Sequence, residues 1–165
     1  MKKKRIEPKA GQESVWDYPR PPRVEQVSKH VTVTCAGLPL ASSNRAYRVL
    51  ETSHPPVFYI PAADVATEYL NRDPKRKSMC EFKGEAAYWN FEGDATHIPG
   101  VGWTYPEPRS GYEMLKDHFA FYPSKMEACY VGEERVQAQE GDFYGGWITS
   151  DIVGPFKGGP GTFGW

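Results

Sequence analysis

The chain has 165 residues, with 20 Lys and Arg against 21 Asp and Glu, a formal net charge of −1. That length suits one domain, and the near-balance of charge excludes a global field that would recruit nucleic acid or an anionic membrane surface. The basic run Lys2-Lys3-Lys4-Arg5 leads into Glu7, Pro8, Lys9 and Gly11 rather than the apolar stretch of a secretory signal, and the widely spaced Cys35, Cys80 and Cys129 make a poor disulfide framework. A cytoplasmic protein with no nucleic-acid or membrane partner is the expectation.

Residues 1–13 are polar and read as a flexible tail. An N-terminal arm over 14–23 follows, in which Trp16 and Tyr18 precede Pro19, Pro21 and Pro22; proline fixes its own φ and disfavours the α region in the residue before it, so this arm reads as extended. Thereafter the apolar residues set the class. The chain holds 23 aromatics and 12 Val but only five Leu and five Ile, a mixture suited to pleated, half-buried surfaces. With 16 Gly and 15 Pro it is punctuated often, which implies short strands joined by turns.

The first strand runs from His30 to Cys35, with Val31 and Val33 on one face and Thr32 and Thr34 on the other. Ala36-Gly37 turns it into Leu38–Ala41. Tyr47–Thr52 and Val57–Ile60 read as two further strands. One helix is predicted near 61–72. Pro61 sits at a first-turn position, Ala62, Val65, Ala66, Tyr69 and Leu70 recur at helical spacing, and Asp64 and Arg72 match the helix dipole. Asp73–Lys77 reads as a charged loop. Glu81–Glu92, Gly100–Pro108, Phe119–Tyr122, Met126–Val131 and Arg135–Gln139 read as strands. The single β domain spans 14–140, and the Gly-rich, aromatic segment 141–165 reads as a C-terminal loop or wrapping arm.

No cofactor and no metal are expected. The histidines at 30, 54, 97 and 118 are scattered, and no two cysteines have the spacing of a zinc knuckle. Lys157–Thr162 lacks the Gly-Lys-Ser/Thr ending of a phosphate-binding loop, and Pro160 removes an amide donor. Cys80 lies near Lys77 and Lys83 in sequence, a setting that would favour a thiolate nucleophile; the alternative is a buried structural thiol.

Three stretches set polar groups beside aromatic ones: Ser42-Ser43-Asn44-Arg45 leading to Glu51 and then Tyr59-Ile60-Pro61; Cys80-Glu81-Phe82-Lys83-Gly84; and Trp103-Thr104-Tyr105 with Phe121-Tyr122 after it. In this order they resemble the bacterial domain-of-unknown-function family numbered 427, which carries a nucleotidyltransferase-like label, over roughly residues 24–131. The resemblance implies a small twisted-sheet fold of the β-tent kind, similar to methionine-R-sulfoxide reductases and the thalidomide-binding domain of cereblon. Many of those relatives hold zinc in cysteine knuckles, which this chain lacks.

The candidate ligand-binding residues are Arg45, Glu51, Tyr59, Lys83, Trp103 and Tyr105. Arg45 and Lys83 supply cationic donors, Glu51 could hold one of them, and the three aromatics supply flat walls with polar tips. Such a mixture suits a small ligand with a ring and a polar or anionic group. The alternative is an enzyme in which Lys83, desolvated beside Arg45, has a lowered pKa and acts as base or Schiff-base nucleophile with Glu51 as proton-transfer partner. A third is a structural or interaction protein, for instance a homodimer joined through the aromatic tail, in which Arg45, Lys83 and Trp103 do not converge.

Overall fold

The computed structural model describes residues 4–141 and 143–165. Of the basic N-terminal run, Lys2 and Lys3 lie outside the described residues, while Arg5 Nη2 sits 2.5 Å from Asp17 Oδ1. Eleven strands form two antiparallel sheets: β1 (Arg23–Gln26), β2 (Val31–Cys35), β3 (Leu38–Ser43), β4 (Tyr47–Leu50), β5 (Val57–Pro61), β6 (Leu70–Cys80), β7 (Gly84–Glu92), β8 (His97–Thr104), β9 (His118–Phe121), β10 (Ala128–Val131) and β11 (Glu134–Arg135). The larger sheet has the order β1-β4-β5-β9-β8-β7-β6, and the smaller one β11-β10-β2-β3. The molecule is mainly β, and among the described residues no sheet closes into a barrel. Among the described residues no helix is long and apolar enough to cross a membrane.

Side-chain alternation along the larger sheet determines where a site can form. Phe58 and Ile60 of β5 and Phe119 and Phe121 of β9 join a core that also takes in Val31, Val33 and Leu40 of the smaller sheet. Their neighbours Tyr59 and Ala120 point to the opposite face, where they meet Tyr88, Trp103, Tyr105 and Tyr122 in a second cluster. With a side-chain period of two, one aromatic-rich sheet thus builds an aliphatic and aromatic core on one face and a tyrosine- and tryptophan-rich layer on the other.

The predicted helix near 61–72 is absent. The segment folds as two single 3₁₀ turns, Ala62–Asp64 and Thr67–Tyr69, and then enters β6 at Leu70. Tertiary partners take the backbone groups a helix would have used: Ala66 N–H donates to the Leu40 carbonyl at 2.8 Å, and Val65 bridges Ala41. The Asp64 carboxylate, read as a helix-start charge, instead receives Ser43 Oγ at 2.6 Å and Arg45. The spacing of Ala62, Val65, Ala66 and Leu70 reflects real burial, but two tight turns followed by a strand meet it as well as a helix does.

Asp73–Lys77, read as a loop, interrupts the pairing of β6 as a bulge between Arg72 and Lys77 rather than ending the strand. The stretch Arg135–Gln139 is divided: β11 closes a hairpin with β10, while Gln137–Ala138 pairs with Trp147–Ile148. Within the arm read as extended, Val15–Asp17 form a 3₁₀ turn whose Trp16 amide donates to Ser14 Oγ at 3.2 Å. Near the other end, Glu13–Ser14 runs parallel to Ile152–Val153, and Trp16 Nε1 donates to the Pro155 carbonyl at 2.8 Å.

Candidate functional site

Cys80, Lys83 and Gly84 mark the turn between β6 and β7. Cys80 closes one strand and pairs with Gly84, the first residue of the next, so Glu81-Phe82-Lys83 form the loop. Gly84 has φ +116°, where an L side chain would be strained, and a Cβ there would lie 3.1 Å from the Glu107 carbonyl oxygen. Close approach is what clamps the loop: Arg109 N–H donates to the Lys83 carbonyl at 2.9 Å, and Arg109 Nη1 donates to the Glu81 carbonyl at 2.6 Å. With its backbone held from outside, Lys83 sends its side chain inward, and the residue is only 8% exposed.

The side chain enters a cavity of about 270 Å³ on the tyrosine- and tryptophan-rich face. Tyr59, Tyr88, Trp103 and Tyr105 come from β5, β7, β8 and the residue just beyond β8; Glu51 and His54 come from the loop after β4; and Phe143 and Tyr144 come from the C-terminal segment. Trp103 Nε1 donates to Tyr59 Oη at 3.3 Å, and Lys83 Nζ lies 5.9 Å from the centroid of the Tyr105 ring. Ser78 Oγ and Tyr88 Oη are 2.7 Å apart at another part of the wall.

Five of the six sequence-predicted residues therefore meet: Glu51, Tyr59, Lys83, Trp103 and Tyr105 all line the cavity. Arg45 does not join them. It forms a two-pronged pair with Asp64, Nη2 to Oδ1 at 2.9 Å and Nε to Oδ2 at 3.2 Å, with 63% of its side chain exposed. Glu51, read as able to hold Arg45 or Lys83, does not pair with Arg45, for a simple reason. β4 runs extended between them, and six residues at about 3.3 Å each carry the two ends roughly 20 Å apart. Glu51 is instead 3.4 Å from Arg20 Nε and 3.9 Å from His54 Nε2.

Charge in the cavity is sparse. Among the described residues that line it, Lys83 is the one cationic side chain, and no carboxylate lies within 4 Å of its ammonium. Burial pulls the Lys83 pKa down, but Tyr59, Cys80 and Glu51 act in the opposite sense and the net direction is upward. Lys83 is thus an ammonium at neutral pH, which withdraws the depressed pKa that a base or Schiff-base role beside Arg45 would need. Burial raises the phenols of Tyr59 and Tyr105, so both present neutral O–H groups.

His54 was passed over in the sequence because its neighbours gave it no ligand spacing. Here it is buried, and burial, followed by Lys157, Arg20 and Lys83, lowers its pKa to about 3. Its Nδ1 accepts from Gln139 Nε2 at 3.4 Å, which leaves Nε2–H as a neutral donor on the Glu51 side. Phe143 and Tyr144 were also missed as wall residues. Cys80 lines the cavity too, whereas Cys35 and Cys129 are buried in the core, their thiols raised by burial, Cys129 to about 12. Among the described residues no group of three His, Cys, Asp or Glu side chains could hold a metal ion.

Fold and cavity together define a class: an antiparallel β protein with a clamped Cys-x-x-Lys-Gly turn that buries one lysine among tyrosines and tryptophan. A family model for a domain of unknown function (DUF427) matches residues 23–132, and the chain belongs to that family. The matched region contributes Glu51, His54, Tyr59, Lys83, Trp103 and Tyr105, whereas Phe143 and Tyr144 lie beyond it. Comparison with curated proteins gives no match.

Proposed function

We propose that this protein is a binding module that holds a small polar or anionic ligand in the Lys83 cavity. One observation carries the proposal: a lysine 8% exposed, charged at neutral pH, with no carboxylate within ion-pairing distance among the described residues, opening on an aromatic cavity. An ammonium withdrawn from water can take an anionic group, and a charge-assisted contact in such a setting is stronger than in water. The aromatic walls would hold an apolar body, and the Tyr and His54 donors would orient polar edges, as in ordinary small-molecule sites.

A thermal-shift screen of small carboxylates, with Cys80 alkylation as a second readout, tests this. A ligand at a hundred times its Kd adds about 2.7 kcal/mol of stability and should protect Cys80 from iodoacetamide. Lys83→Met should abolish both effects. If carboxylates stabilise Lys83→Met as well as the parent protein, or none protects Cys80, the cavity is not the binding site.

A further inference from the structure

Building on that binding function, we propose that the cavity takes a flat, singly charged carboxylate whose charge meets Lys83 and whose ring lies beneath Phe143 and Tyr144, with Tyr144 setting the largest ring admitted. Two sets of observations, one on charge and one on the C-terminal wall, lead there.

Phosphate sites draw on several donors at once: arginine forks, glycine-rich loops or helix N-termini. Among the described residues, the lining of this cavity has one ammonium and no arginine, and Glu51 and Glu81 line it too. A doubly charged phosphate would face two carboxylates with one cation to hold it. A monocarboxylate brings a single charge to a single ammonium, and the O–H and N–H groups of Tyr59, Tyr105 and His54 are neutral donors around it. The same charge count disfavours a nucleoside triphosphate, whatever the family label suggests.

The roof belongs to a segment outside the family match, and it is firmly seated. Gly145, at φ +70°, lies against Trp103 so closely that a Cβ would meet the indole at 2.7 Å. Tyr122 Oη donates to the Phe143 carbonyl at 3.0 Å, and Gly146 N–H donates to Gln139 Oε1 at 3.0 Å. Trp147, fully buried, donates from Nε1 to the Phe121 carbonyl at 3.1 Å. The Tyr144 ring is held between His54, edge-on at 4.6 Å, and Lys157, whose Nζ is 5.4 Å from its centroid. Phe143 is itself 55% exposed, so it is the Tyr144 ring, fixed by these contacts, that limits what fits beneath it instead of adapting to the ligand.

The test measures affinities of benzoate, 2-naphthoate and inorganic phosphate for the full chain, Lys83→Met, Tyr144→Ala and Phe143→Ala. In parallel, Cys80 is labelled with iodoacetamide and with a bulky pyrenyl maleimide. The expected result is benzoate binding that needs Lys83, no phosphate binding, and a naphthoate-to-benzoate affinity ratio that rises at least tenfold in Tyr144→Ala. The bulky maleimide should label Cys80 faster in that variant, and Phe143→Ala provides the same comparison should Tyr144→Ala not fold. Benzoate binding through Lys83 with an unchanged size ratio and unchanged labelling would overturn the roof while leaving the binding function intact. Phosphate binding more tightly than benzoate through Lys83 would overturn the monocarboxylate. No binding by any probe would overturn both.

Discussion

Lys83 lies in the turn between β6 and β7 and Arg45 in the bend between β3 and β4, and in sequence the two cations look equally apt to anchor a ligand. Their surroundings separate them. Arg45 lies in water, fully matched by the Asp64 carboxylate, and its pKa is raised by that partner. Lys83 is withdrawn from water, walled by phenols and an indole, and has no carboxylate within 4 Å among the described residues. A cation is available to a ligand when it is withdrawn from water and no carboxylate already pairs with it. The residue type alone says little.

The contrast can be broken most sharply at Lys83. Lys83→Met should weaken carboxylate binding by about 2–5 kcal/mol, as expected when one partner of a buried charge pair is truncated, with a smaller loss of folding stability because the fold favours the Lys83 ammonium. Calorimetric titration and chemical denaturation check the two halves. Next in size is an acid effect. His54 is held neutral with a pKa near 3, while an unfolded histidine titrates near 6.5. Below pH 6.5 the unfolded chain takes up a proton that the folded one refuses, so this contribution is complete above pH 6.5 and is lost as pH falls toward 3. At pH 4.5 the loss should reach about 2–3 kcal/mol, and His54→Gln should remove that part of the slope in denaturation measured at pH 7 and 4.5.

Smaller effects follow. Trp103→Phe removes the N–H donated to Tyr59 and should cost about 1 kcal/mol in stability, read from the denaturation midpoint, while leaving the tyrosine wall in place. Arg45→Ala should leave ligand affinity unchanged and scarcely move the melting temperature, since exposed pairs contribute little. A large loss of affinity in Arg45→Ala would show that the two cations are not as separate as their surroundings indicate.

Much of the fold was legible because β-branched and aromatic residues alternate in short runs. Val31–Cys35, Tyr47–Leu50 and Val57–Ile60 each became a strand, and the Ala36-Gly37 turn joins Cys35 to Leu38 as read. The helix near 61–72 was misread because burial spacing does not report where the backbone hydrogen bonds go; Leu40 and Ala41 captured Val65 and Ala66. The Cys-x-x-Lys-Gly motif and the Trp103–Tyr105 pair come together on one cavity because the motif marks a turn at which glycine takes a positive φ, and the pair falls at alternate positions at and just beyond the end of β8. His54 and Tyr144 could not be read in the same way. Their places depend on a C-terminal segment that returns through Gln139, Trp147 and Lys157, contacts far apart in sequence and without periodicity.

The most direct test of the contrast is a calorimetric titration of benzoate into the parent protein, Lys83→Met and Arg45→Ala under one buffer condition. Saturable binding that Arg45→Ala keeps and Lys83→Met loses by at least thirtyfold is the predicted result. Equal affinity in Lys83→Met and the parent protein, or loss in Arg45→Ala instead, would contradict it.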